Sequence, residues 1–377
     1  MQRGGHARDP RVRATGRNPR RQRREAGDGG EAPLRRRLRP GESKDERRRP
    51  PAIDGRLGNV NRVPPHPCDV AGCSAPGKLI LFGEHAVVFG EPALSTAVDL
   101  RAEVYARPHD EWLADGRPID DPRYAYVKAA VEKAGETSPL WLEVRSALPE
   151  GSGLGSSAAV TVATLGAVHG RRGSIDPGKI AREAFEVELA VQGRASPIDT
   201  TTATAGGAIL AAPDKEDNLL WSMERDGRRW FLHHRKLPAM DLVVGFTGVN
   251  APTGPLVAKV RDLVDGKPEA RRWIEEIGDI TIQGLRALQG KDWKVAGALM
   301  DRDHELLNKL GVGHPLLDKL VVAARSTSFG AKLTGAGGGG SMIALTDRPE
   351  ETASGIAAAG GRAFIVHAEP RGAMVLP

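Results

Sequence analysis

The chain has 377 residues, 40% of them hydrophobic, a net charge of +6 and two cysteines. A length beyond what one hydrophobic core usually serves predicts two domains. No run approaches the ~20 apolar residues of a membrane span, two cysteines exclude a disulfide framework, and the absence of an apolar signal core places the expected product in the cytoplasm.

The charge divides unevenly. Residues 1–69 carry 18 Arg and 1 Lys against 9 acidic residues, a balance of +10, and the remaining 35 basic and 39 acidic residues sum to −4. Met1–Pro67 is rich in Arg, Pro and Gly and holds no aromatic side chain except histidine, so it is expected to be disordered. It reads as translated upstream sequence, the folded product beginning near Val70. A transit peptide fits less well, because Asp9, Glu25, Asp28 and Glu31 are out of keeping with acid-poor targeting segments. The tail lacks the interleaved aromatics of a single-strand binder, so nucleic acid is an expected partner only through its arginines.

From Cys73 the pattern changes to β-rich. Lys78–Phe82 reads as a strand entering a Gly83-Glu84-His85 turn, Ala86–Phe89 as a second strand, and Ala97–Ala106 and Trp141–Val144 as further strands. Pro149–Ala159 runs Pro-Glu-Gly-Ser-Gly-Leu-Gly-Ser-Ser-Ala-Ala, where Gly151, Gly153 and Gly155 let backbone N–H groups crowd an anion before a helix at Ala158–His169. Neither the P-loop nor the dinucleotide spacing is present there, and by itself the stretch reads equally as a glycine-rich turn. Asp176 caps a helix to Val191, with Ile180, Ala184, Val187 and Val191 at helical spacing. Asp199 then lies in a polar loop before a strand at Ala208–Ala212. A second domain opens with the run Asp241–Phe246, followed by helices near Glu269–Leu288, Trp293–Leu310 and Pro315–Ser326, His304 being a packed or surface residue. Gly335–Gly340 satisfies a dinucleotide spacing, but Ser341–Leu345 after it reads as a strand where that fingerprint needs a helix. What remains is a flexible loop that can approach a phosphate or substrate.

In their order, Ala75-Pro76-Gly77-Lys78 with Gly83-Glu84-His85, then Gly151 to Ala159, Asp199, and Lys332-Leu333-Thr334 before the glycine run resemble the three motifs of the small-molecule kinases related to galactokinase, homoserine kinase, mevalonate kinase and phosphomevalonate kinase. Within that superfamily Phe82-Gly83-Glu84-His85-Ala86-Val87-Val88 is most similar to the mevalonate kinases. The resemblance spans Cys73 to the C-terminus and implies an α+β fold: a ribosomal S5 domain 2-like ATP-binding domain over 70–235 and a ferredoxin-like domain over 236–377. It implies phosphorylation of (R)-mevalonate by Mg·ATP. Gly151, Ser152, Gly153, Leu154, Gly155, Ser156 and Ser157 would wrap the ATP phosphates, and Ser157 and Glu188 would hold Mg²⁺. Asp199 would accept or orient the proton of the primary hydroxyl while Lys78 keeps Asp199 ionised. Glu84, His85, Thr253, Gly337 and Gly338 would contact the acceptor. Two positions depart from the family pattern: Ile198 stands where many relatives have glycine, and Ser341 where cysteine is common. A phosphomevalonate kinase, for which Arg194 is a candidate extra cation, and a catalytically silent sensor on the same fold are the alternatives. A homodimer is left open.

Overall fold

The computed structural model describes residues 70–149, 151–173, 175–193, 195–249 and 253–376. The expectations for Met1–Asp69 (Cys68 among them), for Arg194 and for the side chain of Thr253 lie outside what is described.

A large sheet is built from β1 (Ala71–Phe82), β2 (Ala93–Pro108), β3 (Leu113–Ala114), β4 (Arg117–Pro118), β5 (Leu140–Ser146), β6 (Ala208–Ala212), β7 (Leu219–Arg225) and β8 (Arg228–Arg235). A four-stranded antiparallel sheet holds β9 (Asp241–Phe246), β10 (Gly330–Thr334), β11 (Ser341–Thr346) and β12 (Arg362–His367), in the order β10-β11-β9-β12. The last strand, β13 (Met374–Leu376), returns to pair with β1 through Gly72–Ser74. The helices are α1 (Ala125–Lys133), α2 (Ser156–Arg171), α3 (Pro177–Gln192), α4 (Pro197–Ala205), α5 (Thr253–Gly266), α6 (Pro268–Gln289), α7 (Trp293–Lys309), α8 (Pro315–Arg325) and α9 (Pro349–Ala358). The mixture is α+β as expected, and no described helix is long and apolar enough to cross a membrane.

Two strands and one helix set up the site. In β1 the apolar side chains Leu79, Leu81 and Phe82 are fully buried, and the pairing with β2 is interrupted between Pro76 and Gly77 and again between Ile80 and Phe82. Such irregularities re-aim side chains, and Lys78 sits between them. Helix α2 packs on this strand by its small residues: a Cβ on Gly166 would meet the Cys73 sulfur at 2.3 Å. Cys73 is accordingly a packing residue, its thiol pushed up to about 12 by burial.

Two readings are corrected. Ala86–Phe89 is a single 3-10 turn, because left-handed His85 before it and left-handed Gly90 after it leave no length for a strand. Asp199 lies in the first turn of α4, with Ser196 as N-cap and Pro197 at the first position. The β7–β8 hairpin turns tightly through Asp226 and Gly227, both left-handed.

Candidate active site

The glycine loop ends at the N-terminus of α2. Gly151, Gly153 and Gly155 have φ of 68°, 74° and 75°, a region that only glycine enters cheaply. Gly155 is the N-cap and no side chain caps the helix, so the first-turn N–H groups point outward as an anion site. Leu154 turns its side chain into the core, and its carbonyl accepts the Lys78 N–H at 2.8 Å, tying the loop to β1. A Cβ on Gly155 would meet Lys78 Cγ at 2.7 Å. The variant Gly155→Ala is therefore expected to displace the lysine and lower kcat by about 10–100-fold, which steady-state kinetics on folded protein would register.

Lys78 Nζ lies 3.0 Å from Asp199 Oδ2, with the lysine side chain 5% and the aspartate 27% exposed. The other Asp199 oxygen, Oδ1, is buried and has no hydrogen-bond partner among the described residues. It can accept a proton or a hydrogen bond from a bound molecule. Nearby, Ser157 Oγ donates to Glu188 Oε1 at 2.8 Å. Burial, and then the neighbouring Asp199 carboxylate, push Glu188 up to about 7, against the Ser157 hydrogen bond and the Lys78 charge. A buried carboxylate beside a hydroxyl is a hard-oxygen pair of the kind that a divalent cation with phosphate ligands accepts.

Glu84 and His85 follow β1 in the turn. His85 is left-handed (φ 61°) and its Nε2–H donates to the Ala336 carbonyl at 3.0 Å. Because a carbonyl only accepts, Nδ1 is the unprotonated nitrogen, buried and without a described partner. Burial lowers His85 to about 4, so the ring is neutral near pH 7. Glu84 is fully buried and its carboxylate pairs with Lys332, which also lies 3.2 Å from Asp303. Burial raises Glu84 to about 7, with Lys332 opposing and Asp303 adding to the rise.

These groups border one cavity of about 360 Å³, which takes in Lys78, Glu84, His85, Ser157, Glu188, Asp199 and Gly337. Gly151, Ser152, Gly153, Gly155 and Ser156 also reach it, whereas Leu154 and Gly338 do not. Gly338 instead donates its N–H to the Val312 carbonyl at 2.7 Å, holding the second glycine loop in place. Ser341 bridges the two loops by donating to the Ser152 carbonyl. His304 is a packed residue: its Nδ1 accepts the Leu333 N–H and its Nε2 faces Asp318 at 3.0 Å.

Sequence reasoning missed the roles of Tyr126, Gln192, Lys332 and Asp303. Tyr126 and Gln192 line the cavity, and the Gln192 amide reaches Glu188 Oε1 at 3.5 Å. Lys332 did carry a signal, a lysine inside an otherwise apolar strand, and Asp303 another: it falls on the buried stripe of α7 formed by Ala296, Met300 and Leu307.

The glycine loop capping a helix, the carboxylate–serine pair and the lysine–aspartate pair together define a small-molecule kinase, and the family models agree: GHMP kinases N terminal domain matches residues 124–207 and GHMP kinases C terminal matches 285–365. The chain belongs to the mevalonate kinase family. It is 36% identical to a mevalonate kinase of Pyrococcus horikoshii and 35% identical to one of Thermococcus onnurineus, in each case over 79% of this chain and 96% of the relative. Among solved structures, L. major mevalonate kinase in complex with R-mevalonate superposes with a TM-score of 0.69 at 26% identity, over 79% of this chain and 96% of that one.

The buried Glu84 makes a pH prediction. Burial raises its carboxyl in the folded state to about 7, against 4.5 for the ordinary side chain, so from about pH 7 upward Glu84 faces Lys332 as a carboxylate. Its contribution to stability is thus full below pH ~4.5 and lost as pH rises through ~7. Asp303 is raised in the same direction, and His85, lowered to about 4, works the opposite way. From pH 5 to pH 8 the Tm of Glu84→Gln is expected to rise by about 3–6 °C relative to wild type at the same pH, on top of a pH-independent loss from removing one carboxyl partner of Lys332, read by thermal unfolding without nucleotide.

Proposed function

We propose that the chain transfers the terminal phosphoryl group of ATP to the 5-hydroxyl of (R)-mevalonate, with the Lys78–Asp199 pair at the reacting oxygen. The observation that carries the chemistry is that pair, 3.0 Å apart inside the cavity walled by the glycine loop, with Asp199 Oδ1 free to take a hydrogen bond. The acceptor follows from the relatives, whose near-whole length this chain matches.

In this reading the α2 N-terminus and the amides of Gly151–Ser157 bind the triphosphate. Ser157 and Glu188 would hold Mg²⁺, which when bound offsets charge on the phosphate oxygens. Asp199 orients the acceptor hydroxyl and takes its proton, and the Lys78 ammonium faces both the carboxylate and the transferring group. Because phosphoryl transfer is largely dissociative, positioning and charge stabilisation outweigh proton abstraction. His85 offers Nδ1 as an acceptor to a substrate hydroxyl, and Ile80 and Val257 supply apolar wall for an aliphatic chain. Glu84 acts from behind His85 through Lys332, and Gly337 borders the acceptor space. The same reading divides the described chain at 235/236 into two lobes, with β13 returning to the first.

The test is ADP release by purified protein with Mg²⁺ and ATP, offered mevalonate, phosphomevalonate, galactose or homoserine. Turnover with mevalonate alone is expected. Turnover with phosphomevalonate instead would overturn the acceptor assignment and leave the nucleotide site standing.

A further inference from the structure

Lys332, Glu84 and Asp303 are three charged side chains with no solvent exposure, drawn from β10, the turn after β1, and α7. Burying charges is costly, and apolar residues of similar size often serve stability equally well. Their placement supplies a reason for the charges. Glu84 precedes His85 directly, and Lys332 lies three residues before the Gly335–Gly340 loop. Lys332 and Asp303 do not themselves reach the cavity. Successive residues of the same segment are fastened to different elements: Lys332 to Glu84 and Asp303, the Leu333 N–H to His304 Nδ1, Thr334 Oγ1 to the Ile80 carbonyl at 3.0 Å, and the Ala336 carbonyl to His85 Nε2. Two of these ties end on the turn bearing His85, and a third on β1 two residues from Lys78.

We propose that Lys332 is a positioning residue for the acceptor: paired with Glu84 and Asp303, it locks the Gly83–His85 turn to the second glycine loop and so fixes where His85 Nδ1 meets the substrate. The inference rests on the reading that the acceptor occupies the part of the cavity walled by His85. An ammonium between two carboxylates supports the turn from one direction and α7 from the other. A neutral side chain of the same length fills the space but holds neither. The left-handed conformation of His85 makes such a hold necessary, because a histidine there relaxes readily once its neighbour is released.

Two variants of the full chain test this: Lys332→Met, which strands two buried carboxylates, and the triple variant Lys332→Met/Glu84→Gln/Asp303→Asn, which removes every charge and guards against a single variant that fails to fold. In both, the KM for mevalonate is expected to rise at least about tenfold and kcat to fall about 10²-fold. The Kd of a fluorescent ATP analogue is expected to stay within about twofold, and the triple variant to recover Tm without recovering kcat/KM. A triple variant that regains wild-type kcat/KM for mevalonate along with Tm would overturn the proposal, as would equal losses in acceptor and nucleotide binding. A wild-type enzyme that ignores mevalonate would count against the acceptor assignment, whereas an active wild type with unaltered variants counts against Lys332.

Discussion

Replacing Asp199 by asparagine is expected to lower kcat about 10³-fold while leaving the KM for ATP within a few-fold. The carboxylate is the group whose Oδ1 is free in the cavity and whose Oδ2 is held 3.0 Å from Lys78. An asparagine keeps the size of the side chain, so α4 and its Ser196 cap stay in place. What is lost is the charge that, in the proposed reading, orients the hydroxyl and accepts its proton, a contribution of about 10²–10⁴ in comparable cases. In the proposed reading nucleotide contacts come from the α2 N-terminus, Ser157 and Glu188, which the change does not touch. Loss of Asp199 also removes the neighbouring negative charge that, after burial, raises Glu188, so the variant's affinity for Mg·ATP is not expected to fall. Steady-state kinetics with both substrates varied would check this, and a kcat reduced less than tenfold would remove Asp199 from the role of base.

The second large effect is expected at Lys78. Lys78→Met should reduce kcat about 10²–10³-fold and raise the KM for ATP, because the same ammonium balances Asp199 and faces the transferring group. The residue is 4% exposed and is held by its backbone bond to Leu154 and by the absence of a Cβ on Gly155, so its place is set by the nucleotide loop. The two residues act as a unit, and their effects should not add. The double variant Lys78→Met/Asp199→Asn is expected within about tenfold of the more damaged single variant. Additive losses would mean that the lysine serves the phosphates alone, independently of the base.

Much of this site was legible because its parts are local. Gly151, Gly153 and Gly155 must be glycines to hold positive φ, and Asp176 and Pro177 announce the helix that carries Glu188. Lys78 stands out in the sequence as well, because a cation rarely opens an apolar strand that enters a core. Asp199 was misplaced in a loop because Pro197-Ile198-Asp199-Thr200-Thr201-Thr202 is β-branched and reads against a helix. The helix forms nevertheless, started by Ser196 and Pro197, and the buried Thr202 and Thr204 hydroxyls are satisfied by carbonyls one turn back. Ala86–Phe89 has strand-like residues, but the left-handed residues on either side confine it to one turn. The Lys332–Glu84–Asp303 cluster could not be read linearly, since its members are 248 residues apart at the extremes of Glu84 and Lys332 and only the packing of α7 and β10 brings them together.

The most direct measurement of the central claim is the ³¹P NMR spectrum of the product made by this chain from Mg·ATP and (R)-mevalonate. Transfer to the primary hydroxyl aligned by Asp199 predicts a new phosphomonoester signal split into a triplet by the adjacent methylene protons, at the expense of the terminal phosphate of ATP. A singlet, from phosphate on the tertiary carbinol, or the appearance of inorganic phosphate alone, would contradict it.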